Sequence, residues 1–298
     1  MKSLQPIFPI VQALGIALAL GFATSGCDEV NGPYKDVSPV TPPDTTGTDT
    51  TDTDTTIIVP VRKVLLQEFT GHKCGNCPEG AEKAHDLKQI YGDKLILMSV
   101  HAGFFASVAT SGKYSYDFRT ATGNSIDTEY GVTAYPSAII NRTNHQVFGS
   151  SAWATVIDTI LQKPVQAHIK LTPVITPGTR ELKLTVKTTF LQATSQSQNL
   201  TVYLVESGKI SWQKDYRLPN GQQDIENYSH DHFLRATLTP TWGELISAGP
   251  VAADQSFSRQ FTYQIPAEYN MAKCQIIAVV NNPVNYSIMQ AEESGYLQ

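Results

Sequence analysis

Two cysteines separated by two residues are the part of this sequence best suited to chemistry. Cys74-Gly75-Asn76-Cys77 follows an apolar run at residues 62–69, typical of a buried strand, and precedes a stretch of helical periodicity. A thiol at a helix N-terminus meets the positive end of the dipole and free N–H groups, which favour the thiolate, and Lys73 adds a positive charge beside it. Cys74 is therefore the predicted nucleophile, and Cys77 is placed to resolve a mixed disulfide formed on Cys74.

The elements that must position this pair follow in a definite order. A second apolar run at residues 94–100 predicts a neighbouring strand, and residues 137–141 predict another that directly follows a proline. A hairpin and a helix at residues 152–162 close the unit. This order resembles the thioredoxin fold over residues 60–164, with residues 102–129 as a helical insertion.

The resemblance implies further site residues. Glu68 stands six residues before Cys74, where thioredoxin-like proteins place a buried acid, and a carboxyl of raised pKa there could pass a proton to or from Cys77. Tyr135-Pro136 resembles the cis-proline loop of the family, which implies Pro136 in the catalytic site and the Tyr135 backbone pairing with an extended substrate segment. Just before the first cysteine, this sequence has Lys73 where the family usually has Trp. The sequence therefore leaves open whether the pair would act as an oxidase, a reductase or an isomerase.

The same cysteines allow two other interpretations. In an oxidising compartment they could form an inert structural disulfide. His72 and His85 could join them as metal ligands, although no second Cys-x-x-Cys pair completes a zinc site. His230 and His232 are weak metal candidates, because they share a face if they lie on one strand, but two ligands do not make a site. The sequence therefore predicts no metal and no cofactor.

The N-terminus predicts export and attachment to a membrane. Lys2 precedes an apolar stretch at residues 10–23, shorter than the roughly 20 residues that a membrane span needs. The stretch ends at Gly26-Cys27 and resembles the bacterial lipobox, which implies a signal peptide of residues 1–26 and acyl chains such as palmitate on Cys27. Residues 27–58 are rich in Asp, Thr and Pro and predict a disordered tether.

After residue 164 the pattern changes to alternating strands, such as residues 181–190 and 257–265. The predicted fold class is therefore an α/β thioredoxin-like domain at residues 59–164, followed by an all-β immunoglobulin-like sandwich at residues 165–298. Cys274 has no partner and is expected to pack as a small buried residue. The net charge of −5 argues against nucleic-acid binding, which needs a clustered basic surface.

Over most of residues 60–298 the chain is similar to an outer-membrane lipoprotein family named for a twenty-eight-kilodalton outer-membrane protein. The resemblance rests on five short stretches, residues 68–78, 135–136, 141–142, 230–235 and 238–243. It implies a lipid-anchored protein of the outer membrane that faces either the periplasm or the cell surface. The predicted function is that of a candidate thiol–disulfide oxidoreductase acting on exported protein thiols and disulfides. The alternative is a non-catalytic adhesion or scaffold lipoprotein with Cys74–Cys77 as a structural disulfide.

Overall fold

A computed structural model describes residues 59–298, in which strands far outnumber helices. Strands β1 to β14 span Val64–Thr70, Leu95–His101, Ser137–Ile140, Phe148–Gly149, Ala167–Ile175, Glu181–Phe190, Gln198–Glu206, Lys209–Lys214, Asp224–His230, Phe233–Thr237, Glu244–Ser247, Ser256–Gln264, Cys274–Asn281 and Ile288–Glu293. Helices α1 to α3 span Cys77–Tyr91, Ala121–Tyr130 and Trp153–Leu161. The predicted signal peptide, Cys27 and the tether lie outside the described residues. Between residues 59 and 298, no helix has the length and apolar character needed to cross a membrane.

Strand β1 lies in the interior of the largest sheet. All seven of its residues are buried, as expected for a strand covered on both faces. It pairs in parallel with β2 and antiparallel with β3, so that Glu68 has Ser99 on one side and Ala138 on the other. The loop that leaves β1 and carries Cys74 therefore starts from a rigid, central position.

The predicted fold class is wrong, because strands from both halves of the chain build one sheet. Strand β10 pairs in parallel with β2 through Phe233 and Ser99, which gives the order β14-β13-β7-β10-β2-β1-β3-β4, with β11 also on β7. An α/β thioredoxin-like domain followed by a separate immunoglobulin-like sandwich would not share a sheet in this way. The predicted boundary at residues 164/165 falls in the link between α3 and β5.

Apolar side chains fill both faces of this sheet. On one face, Trp153 and Ile157 of α3 and Leu87 of α1 pack on β1. On the other face, Ile126 of α2 packs in a cluster that includes side chains of β7 and β13. A second antiparallel sheet, β12-β6-β5, packs against one face of β7 and β13, where Cys274 is buried as a free thiol, as the sequence predicted.

Candidate functional site

Cys74 and Cys77 form a disulfide at the junction between β1 and α1. Cys77 is the first residue of α1, and Pro78 is tolerated beside it because the first helical turn needs no intrahelical N–H donor. The backbone N–H of Cys77 donates to the carbonyl of Cys74 at 3.2 Å. Each cysteine is only 2% exposed, so the disulfide is covered on almost every side.

Pro136 and Glu68 both lie against the first turns of α1. The Tyr135–Pro136 peptide bond is cis. A Cβ atom added at Gly80, three residues after Cys77, would lie 2.5 Å from Pro136 Cβ and 2.8 Å from Glu68 Oε1. Only glycine allows this approach, which brings the helix, the proline loop and the acid together beside the disulfide.

The Glu68 carboxyl is buried without compensation. Its side chain is 3% exposed, and Oε1 has no hydrogen-bonding partner among the described residues. Burial raises the pKa of Glu68 to about 8, because a carboxylate loses its hydration there. At neutral pH Glu68 is therefore mostly a carboxylic acid that can give up a proton.

Lys73 and Tyr135 meet a loop at residues 103–107, which belongs to the predicted insertion. The Lys73 backbone N–H donates to the Phe105 carbonyl at 3.0 Å, and its ammonium group donates to Ser107 Oγ at 3.2 Å. The Tyr135 ring lies 5.7 Å from the Phe105 ring, and its hydroxyl donates to the Asp127 carboxylate. This loop therefore contacts both the residue before Cys74 and the residue before Pro136.

Residues 213–217, here called the cover segment, lie across the Cys-x-x-Cys loop. The backbone N–H groups of Lys214 and Tyr216 donate to the carbonyls of His72 and Gly75, both at 2.8 Å. The Tyr216 ring sits directly on Gly75, where an added Cβ would lie 2.3 Å from Tyr216 Cγ. The sequence does not indicate this segment, because no local pattern links it to a loop so distant in the chain.

A cavity of about 380 Å³ reaches the disulfide from the side of α1 and β2. The residues that line this cavity include Glu68, Cys77, His101 and His230. Neither ring nitrogen of His101 has a hydrogen-bonding partner among the described residues, and burial holds the pKa of His101 well below its usual range. Burial also lowers the pKa of His230 to about 3, so both imidazoles are neutral at pH 7.

The histidines considered as metal ligands are separated by the structure. His230 ends β9, whereas His232 lies in the following turn at a φ of 53°, so the two do not share one strand face. His72 is buried with its Nε2 atom 3.0 Å from the Ser107 carbonyl, and His85 pairs with Gln89. Within residues 59–298 no group of three His, Cys, Asp or Glu side chains is arranged to hold a metal ion.

Comparison with known protein families gives a match in the C-terminal part of the chain. The model of the family described as outer membrane protein Omp28 matches residues 123–294, more than half of the chain but not the Cys-x-x-Cys loop. None of the curated proteins matches the sequence.

Two solved structures share the fold at low sequence identity. HBP35 of Porphyromonas gingivalis has a TM-score of 0.58 and 19% identity, over 80% of this chain and 76% of that one. Protein AGR_C_4864 from Agrobacterium tumefaciens has a TM-score of 0.51 and 12% identity, over 80% of this chain and 96% of that one. A domain of the outer membrane lipoprotein Omp28 from Porphyromonas gingivalis also matches, at a TM-score of 0.29 and 16% identity over 45% of this chain and 91% of that one.

Proposed function

Because this chain belongs to the Omp28 family of outer membrane proteins, we propose that it is a lipid-anchored envelope protein whose Cys74–Cys77 pair exchanges disulfides with exported proteins. The acyl chains on Cys27 hold it at the outer membrane, and residues 28–58 keep the folded part at a distance from the lipid surface. An envelope location also suits the disulfide, because thiols become oxidised outside the cytoplasm.

The local arrangement around the disulfide supports exchange chemistry. It combines a Cys-x-x-Cys pair at the start of α1, a cis-proline against the same helix and a buried acid, as in the active sites of thioredoxin-like proteins. An incoming thiolate attacks Cys74 Sγ, the bond between the two protein sulfurs breaks, and the Cys77 sulfur leaves with the electron pair. The Glu68 carboxylic acid supplies the proton that Cys77 then takes up, since both groups border one cavity.

The buried Glu68 carboxyl, which lines the same cavity as Cys77, is the observation that carries this proposal. A carboxyl whose pKa is raised by burial lowers the stability of the fold as the pH rises from its ordinary pKa towards the raised value. A purely structural disulfide gains nothing from such a neighbour. A disulfide that opens and closes needs a proton donor and acceptor at this point.

A structural disulfide is the second candidate, and the burial of both sulfurs favours it. Its benefit to stability is small, however. Closing a loop of four residues restrains the unfolded chain by only about 2 kcal/mol in the chain-entropy treatment. In this alternative the protein is a scaffold or adhesion lipoprotein at the same membrane.

Trapping of mixed disulfides distinguishes the two candidates. The Cys77→Ser variant keeps the attacking thiol of Cys74 but cannot resolve a mixed disulfide, so it should accumulate covalent complexes with exported proteins in intact cells. The Cys74→Ser variant should form none. Cys274→Ala combined with Cys77→Ser removes the buried free thiol and serves as the control that leaves trapping unaltered. Equal amounts of covalent complex in the two Ser variants would reject exchange at Cys74.

A further inference from the structure

Strand β12 forms one edge of the smaller sheet and is open on its outer side. It is nine residues long, and in the part of the chain that the structure describes it pairs with β6 alone. The hydrogen bonds just beyond its ends join Gln255 to Phe190 and Ile265 to Arg180, so the odd-numbered residues of this segment bond towards β6. The backbone groups that point to the open edge belong to five exposed residues, Ser256, Ser258, Gln260, Thr262 and Gln264.

This edge lacks the features that usually protect an exposed strand from other chains. Residues 256–264 contain no proline, lysine or glycine, and their pairing with β6 runs without a bulge. The opposite edge of the same sheet differs. There, β5 bonds to β6 through even-numbered residues, as the Thr176 N–H does to the Glu181 carbonyl, so Pro173 lies where an outward N–H is missing. Only β12 therefore offers a regular edge to a further strand.

The sequence of β12 is nearly symmetric about its central residue, Gln260. The residues equidistant from Gln260 form the pairs Ser256–Gln264, Phe257–Tyr263, Ser258–Thr262 and Arg259–Phe261. An antiparallel strand of the same sequence, centred on Gln260, places uncharged polar side chains opposite one another, aromatic opposite aromatic, and a guanidinium opposite a phenyl ring. A centre at Arg259 would oppose two guanidinium groups, and every other centre leaves outward residues without a partner.

We propose that two copies of this protein associate through their β12 strands, antiparallel about Gln260. Ser256 of one copy pairs with Gln264 of the other, and Ser258 pairs with Thr262, so every outward N–H and C=O group gains a partner. The contact is isologous, and it joins the two β12-β6-β5 sheets into one continuous sheet. The occupant is a second copy, because only a second copy matches the symmetry about Gln260.

Oxidative cross-linking of single cysteines tests the proposed centre. In Gln260→Cys the two introduced thiols meet at the axis, where α-carbons about 5.5 Å apart suit a disulfide. The full-length protein in detergent, oxidised with copper phenanthroline, should be captured mainly as a covalent dimer. Ser256→Cys is the matched control, since Ser256 is also exposed on β12, but its two copies lie roughly 27 Å apart across the axis. Equal cross-linking of the two variants, or none in Gln260→Cys, would overturn the inference.

Paired charges at residues 258 and 262 test the register in the assembled protein. Within one copy Ser258 lies beside Lys187 and Thr262 beside Lys183, so Ser258→Glu combined with Thr262→Glu suits the fold of each copy. Across the axis the same changes set glutamate against glutamate twice and should weaken dimerisation about tenfold.

The matched control for this pair of changes is Ser258→Glu combined with Thr262→Lys, which sets glutamate against lysine across the axis. It should dimerise at least as tightly as wild type when sedimentation velocity is measured over a range of protein concentrations. Equal dimer affinity in the two double variants would refute the register. A wild-type protein that stays monomeric at every concentration would overturn the inference and leave the β12 edge to a strand of another protein.

Discussion

Replacement of Glu68 by Gln gives the most quantitative test of the environment around the disulfide. Burial raises the pKa of Glu68 from its ordinary value of 4.5 to about 8. Between these two values the folded protein keeps a proton that the unfolded chain has lost. The stability contributed by this group therefore falls as the pH rises from 4.5 to 8 and stays constant above that range.

The size of the effect follows from the rise in pKa. At about 1.36 kcal/mol per pH unit, it amounts to roughly 5 kcal/mol across the window. Gln has nearly the same shape and no titrating proton, so the Glu68→Gln variant lacks this pH dependence. Relative to wild type, the variant should therefore become more stable by roughly 5 kcal/mol between pH 4 and pH 9.

Urea unfolding of the oxidised protein at several pH values measures this difference. Glu79→Gln is the matched control, because Glu79 lies in the first turn of α1 but is exposed to solvent. Its unfolding free energy should follow wild type at every pH. Parallel profiles for wild type and Glu68→Gln would show that Glu68 is not held as an acid, and the proposed proton donor for Cys77 would be lost.

Three further perturbations have defined outcomes. Cys27→Ala should move the protein from the membrane fraction to the soluble fraction of the envelope on cell fractionation, and retention in the membrane pellet would contradict the lipid anchor. Arg142→Ala should lower the free energy of unfolding in urea by about 3 kcal/mol, because the buried guanidinium donates to Gln67 at 3.0 Å and to Tyr203 at 2.6 Å; a loss below about 1 kcal/mol would refute this. His230→Phe should remove a loss of stability that wild type shows as the pH falls from 6.5 to about 3, since only the unfolded chain takes up this proton; identical acid unfolding curves would exclude it.

The sequence was informative where neighbours in the chain are also neighbours in space. The apolar run before Cys74 and the helical periodicity after Cys77 predict the β1–α1 junction, because local patterns determine strands, helices and their caps. Glu68 and Pro136 could be named from the resemblance to thioredoxin-like proteins, and the structure places both against Gly80.

The sequence was misleading where the fold depends on distant pairing. Nothing in the residues around Ser99 or Phe233 indicates that β2 and β10 are partners, so two domains were predicted where one sheet runs through both halves. The cover segment was missed for the same reason. Its hydrogen bonds to His72 and Gly75 are made by backbone groups, which leave no signature in residue types.

The reduction potential of the Cys74–Cys77 disulfide tests the central claim most directly. The full-length protein would be equilibrated in dithiothreitol buffers of graded ratio, and the fraction of free thiols measured after rapid alkylation. Disulfide exchange with exported proteins predicts a potential above about −300 mV, in the range of labile and catalytic disulfides. A potential well below about −300 mV would identify a structural disulfide and contradict the proposed function.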